Sequence, residues 1–79
     1  MTLETIRNAH QARPFSTFIL HLVDGRQIKV THPETLAIPL GEKGRTIVFY
    51  PKEGDFRFID LLHVVELQLL NQRTRRRSA

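Results

Sequence analysis

Two short apolar stretches flank the turn Val23-Asp24-Gly25-Arg26, with Phe18-Ile19-Leu20-His21-Leu22 before it and Gln27-Ile28-Lys29-Val30 after it. This feature constrains the fold more than any other in the chain, because apolar residues at every second position give a strand one dry and one solvated face. The loop length decides which residues meet. A two-residue turn at Asp24-Gly25 would set Leu20 against Lys29 and Leu22 against Gln27, dividing the apolar sets. A three-residue loop, Val23-Asp24-Gly25, sets Leu20 against Ile28 and Phe18 against Val30. The second arrangement keeps one face apolar, so it predicts a type I turn closed by a bulge, with Gly25 in the left-handed region that glycine enters without steric cost.

Upstream, Thr2 is placed to cap a short helix with Glu4 in its first turn, where an acid suits the helix dipole. Leu3, Ile6 and either Ala9 or His10 share one side of it. Pro14 ends the helix near Ala12, because the residue before a proline, here Arg13, is pushed out of helical geometry. Downstream, Pro33 in His32-Pro33-Glu34 lacks the N–H a ladder needs and makes a corner. Leu36, Ile38 and Leu40 alternate, but Pro39 demotes them to a short or edge strand. Gly41-Glu42-Lys43-Gly44 is a loop. Ile47 and Phe49 alternate with Val48 and Tyr50, Pro51-Lys52-Glu53-Gly54-Asp55 reads as the next turn, and Phe56 and Phe58 return on the following strand. The stretch from Ile59 to Leu70 fits a helix through Leu62, Val65 and Leu69, and a strand through Val65, Leu67 and Leu69. The β-branched Val64 and Val65 favour the strand, preceded by a helical turn at Asp60-Leu61-Leu62.

Seventy-nine residues make one small domain, which buries only about 60 to 65% of the surface its unfolded chain exposes. One helix and five short strands are too little for two packed sheets. The expected fold is therefore mainly β, a small, strongly bent five-stranded antiparallel sheet or barrel over residues 1–70 with the helix across an open end, since curling the sheet limits open edges. Without cysteine, neither disulfides nor thiolate ligands supplement the core, and packing or association with another chain must stabilise it. No apolar run reaches the roughly 18 residues of a membrane span, and the early Glu4 argues against a secretory signal. A cytoplasmic protein is the expectation.

This order of elements, a helix, a strand ending in Asp-Gly, a bent sheet and a last strand after a helical turn, resembles the Sm-like small barrels from Leu3 to Leu69. The chain is also similar to a group of short bacterial proteins that share Arg13-Pro14-Phe15, Asp24-Gly25-Arg26, His32-Pro33-Glu34 and Ile59-Asp60-Leu61-Leu62-His63. That likeness brings no activity with it. Sm-like proteins that bind RNA form rings whose loops present a stacking residue and a late Arg-Gly pair. Asp55-Phe56-Arg57-Phe58-Ile59-Asp60 holds no Arg-Gly, so that pocket is not carried over.

Charge gives the remaining functional signal. Arg73, Arg75, Arg76 and Arg77 account for the whole net charge of +4, because the other eight basic residues are matched by eight acids. The polar, arginine-rich segment 71–79 reads as a disordered tail that would hold phosphate by counterion release. Lys29, Lys52, Arg57 and the ring of Tyr50 are the candidate helpers for RNA. His10, His21, His32 and His63 show no metal-ligand spacing. No phosphate loop is present, and Ser16 and Ser78 are the only serines. The sequence thus predicts no catalytic, metal or cofactor site and no small-molecule substrate. It predicts a non-catalytic module whose partner is a protein or its own copies, with Leu36, Ile38 and Leu40 as the self-association edge. RNA binding through the tail is the alternative.

Overall fold

Thr2 opens α1 (Leu3–Gln11): its backbone is extended, and its hydroxyl accepts the Thr5 N–H at 3.3 Å. The helix ends where Ala12 turns extended ahead of Pro14. Leu3 and Ile6 are buried, and Ala9 packs against the same cluster. The computed structural model describes residues 1–39 and 44–70.

Among these residues the fold is mainly β: six strands form two three-stranded antiparallel sheets beside α1. In the first sheet β1 (Phe18–Leu22) lies between β2 (Gln27–Val30) and β6 (Val64–Leu69). In the second, β4 (Thr46–Lys52) lies between the two-residue β3 (Leu36–Ala37) and β5 (Asp55–Asp60). The register of the first hairpin is the one that unites the apolar sets, Leu20 with Ile28 and Phe18 with Val30. Gly25 has φ +93°, and its N–H donates to the Leu22 carbonyl at 2.9 Å. Phe18, Leu20, Leu22, Ile28 and Val30 from the first sheet share one core with Leu36, Ile47, Phe49 and Ile59 from the second. Each such side chain contributes roughly 1.5–3 kcal/mol by leaving water.

Three hydrogen bonds to backbone carbonyls join the parts. Val23 N–H donates to the His63 carbonyl at 2.8 Å, tying the first hairpin to the short 3₁₀ turn Leu61–His63 between β5 and β6. Arg7 Nη2 donates to the Pro39 carbonyl at 2.9 Å and His10 Nε2 to the Pro33 carbonyl at 2.7 Å, tying α1 to the segments that follow β3 and precede it.

The structure corrects the sequence reading at several places. Five strands in one continuous sheet become six in two sheets, because Pro33 enters a 3₁₀ turn (Pro33–Thr35) and the chain re-emerges as β3, paired only with β4. The segment from Pro51 to Asp55 is not all turn. Strand β4 runs on through Pro51 to Lys52, since the register shift between Phe49 and Lys52 makes a bulge where a proline is tolerated. Only Glu53 and Gly54 separate the strands, Gly54 at φ +86°. In β6, Val65 does not share a face with Leu67 and Leu69. The ladder steps from Leu22–Val64 to His21–Glu66, leaving Val65 as the extra, exposed residue and sending Val64 inward. The expected strand, rather than a helix, does follow a helical turn capped by Asp60, whose carboxylate accepts the Leu62 N–H at 2.9 Å.

Candidate functional site

The hairpin β4–β5 decides which side chains this chain shows to its surroundings. Ile47 lies opposite Ile59 and both are buried, so the alternating neighbours Val48 and Phe58, also opposite each other, face outward. Beyond the bulge Tyr50 and Phe56 belong to the same outer face. Their rings stack at a centroid distance of 5.6 Å and an interplanar angle of 25°. Phe56 keeps 61% of its surface exposed and Phe58 73%. The spacing that puts these two phenylalanines on one face was legible in the sequence. That the face is the outer one was not, because it depends on the register that the tight Glu53-Gly54 turn imposes.

Strand β5 is also an edge of its sheet, with β4 on one side and, among the described residues, no strand on the other. Arg57 alternates with the phenylalanines and forms an ion pair with Asp55 at 3.4 Å. The hairpin is close to neutral: Lys52 and Arg57 stand against Glu53, Asp55 and Asp60.

The candidate nucleic-acid residues are only partly brought together. Tyr50, Lys52 and Arg57 share the β4–β5 hairpin, but Lys29 lies on β2 in the other sheet, opposite Ile19. Arg73, Arg75, Arg76 and Arg77 lie outside the described residues, as does Leu40. Strand β3 is an edge, yet it offers a partner little apolar surface. Leu36 keeps 2% exposure, and Ile38 packs against the core.

The chemistry-bearing side chains are dispersed. His21 Nε2 lies 2.9 Å from Gln68 Oε1 across β1 and β6, and His32 Nδ1 lies 3.0 Å from the Thr31 hydroxyl. With His10 donating to Pro33, none of these rings is joined to Ser16. Among the described residues no three His, Asp or Glu come together in a metal-ligating group, and no helix is long and apolar enough to cross a membrane. An open cleft of about 380 Å³ runs between α1 and β6, lined by Ala9, Ala12, Ser16, Leu67 and Leu69 among others. It holds no acid or base. Among the described residues Asp24 is the one group whose carboxyl is held below its usual range, by the Arg26 N–H first and then by the Arg26 side chain at 2.8 Å, and it sits in an exposed turn.

No protein-family model matches this sequence, and no curated protein or solved structure matches it either.

Proposed function

We propose that this chain is a small non-catalytic interaction module that associates with copies of itself, the free edge and outer face of β5 being the contact. The observation that carries this reading is the pair Phe56 and Phe58, large apolar side chains left mostly in water on a strand with an unpaired edge. Unpaired strand edges and contiguous apolar surface are the two features through which β-proteins recognise other chains. A core this small has much to gain from such a contact.

The architecture behind the proposal is an Sm-like small barrel. Its support is topological: if β2 and β3 are read as one strand broken at Pro33, five strands remain, and they succeed one another as β6-β1-β2/β3-β4-β5 in a single bent order. Sedimentation velocity over a concentration series tests the function. A mass that rises above that of one chain supports it; a single-chain mass at every concentration overturns it.

A second reading, RNA binding, has the Tyr50–Phe56 stack in its favour, with Lys52 and Arg57 on the same hairpin and the tail arginines to hold phosphate. If four arginines each displace one counterion on a single strand, affinity falls about 50-fold between 50 and 200 mM salt. Gel mobility with a short RNA, comparing the full chain with one cut after Gln72, separates the cases. The near-neutral hairpin places this reading second, because a stacking platform for nucleic acid normally sits in a positive field.

A further inference from the structure

Resting on the self-association reading, we infer that two copies join isologously, β5 against β5 in antiparallel register, with Phe58 on the two-fold axis. The two three-stranded second sheets then fuse into one six-stranded sheet.

The choice of edge follows from how the four edges are protected. Strand β2 is short and carries the exposed Lys29, and β3 has two residues. Strand β6 is broken by the bulge at Val65 and carries the exposed Glu66. Charge, brevity and a bulge are ordinary ways of blunting an edge. Strand β5 is six residues long, and its one basic side chain, Arg57, is already neutralised by Asp55.

The register follows from symmetry and charge. A two-fold axis normal to the sheet keeps outer faces outer only if the axis passes through a residue. An axis at Arg57 would set two guanidiniums directly opposite, which is unfavourable. An axis at Phe56 would leave only Asp55, Phe56 and Arg57 of the strand paired before the turn intervenes. An axis at Phe58 pairs Phe56 through Asp60, sets Phe58 on its own copy, and puts Arg57 at the register position of the second copy's Ile59. Phe56 is then diagonal to the partner's Phe58, within reach of an aromatic ring. The aromatic row begun by Tyr50 and Phe56 continues across the axis.

The second copy is also the occupant that the surface chemistry fits. Mixed charges on the hairpin repel neither a like hairpin nor favour a polyanion. Taking ~200 Å² for a phenylalanine, the exposures of 61% and 73% leave roughly 270 Å² of ring per copy. The four rings thus offer at most about half of the ~1,000 Å² that a specific contact needs, and the paired strand edges and the stem of Arg57 add to it.

Because the chain has no cysteine, Phe58→Cys creates a single thiol that sits opposite itself if the register is right. Directly opposed Cα atoms lie about 4.5–5.5 Å apart, within the ~4.4–6.8 Å span of a disulfide. The experiment measures the mass of the native chain by sedimentation velocity, the same for Phe58→Lys, and disulfide formation by Phe58→Cys against a Lys29→Cys control. The inference expects a dimer for the native chain and association weakened roughly 30-fold or more in Phe58→Lys, as for a central aromatic anchor. It also expects a covalent dimer from Phe58→Cys but not from Lys29→Cys. Association that survives Phe58→Lys, or equal cross-linking by both cysteines, overturns the β5 contact while leaving self-association standing. A native chain that is monomeric at every concentration overturns both.

Discussion

The two sheets are built alike on the inside and differently on the outside. The outer face of the first sheet is mixed: Lys29, the half-buried Ile19 and Gln68 form one cross-strand row, and Gln27, His21 and Glu66 the next, with His21 bonded to Gln68 and the exposed Val65 standing at the bulge of β6. The second shows Val48 opposite Phe58, and Tyr50 stacked on Phe56. Folding of one chain requires only that the inner faces be apolar, and both satisfy it. The outer faces are free of that demand, so the difference between them reports on what the protein meets rather than on how it folds.

The sharpest way to break this contrast is to truncate one residue from each side of it. Leu20 is fully buried on the central strand of the first sheet, and Leu20→Ala should destabilise by about 2–5 kcal/mol, the transfer loss plus the cavity left behind. Phe58→Ala removes more atoms, but from an exposed position, and in dilute solution should shift stability by no more than about 0.5 kcal/mol. Urea unfolding of both variants below the concentration of association checks the pair. If Phe58→Ala costs as much as Leu20→Ala, the outer face of the second sheet is covered within the single chain and the contrast dissolves.

The two hairpins allow a finer comparison. Gly25 and Gly54 turn the first and second sheets at φ +93° and +86°, and a Cβ at either would meet no atom within 4 Å. Alanine at each position should therefore cost only the backbone strain, about 1–2 kcal/mol. Equal losses would show that both turns are held by conformation alone. A larger loss at Gly54 would mean that the aromatic face beyond it depends on the turn for its register.

These particulars also show where the sequence was sufficient. Leu20 with Ile28 could be paired by counting, because only one loop length keeps a short hairpin's apolar residues together. The capped α1 was legible from Thr2 and Pro14 for similarly local reasons. The outward face of Phe56 and Phe58 was hidden because two neighbouring faces were both apolar: Ile47 and Phe49 alternate with Val48 and Tyr50, so periodicity marked the strand without marking its inside. The bulge at Val65 was hidden for the same reason, Val64 and Val65 being interchangeable in composition and unlike in burial. A site made of exposed apolar side chains leaves no chemical signature of its own in a sequence. Only the register reveals it.

The smallest effect belongs to the first hairpin and concerns acid. Asp24 accepts the Arg26 N–H and pairs with its side chain, and its folded pKa is lowered relative to the unfolded chain. A lowered carboxyl contributes stability that is present above its unfolded pKa and is lost as the pH falls through the folded one, because the unfolded chain takes up the proton first. Thermal unfolding of the native chain and Asp24→Asn should therefore differ at neutral pH and converge below the usual carboxylate range. The gap is small, since the pair is in open water and is weakened by salt. The absence of a gap at every pH would mean that Asp24 supports the turn by its shape, accepting the Arg26 N–H as asparagine also would, and that charge adds nothing to the first hairpin.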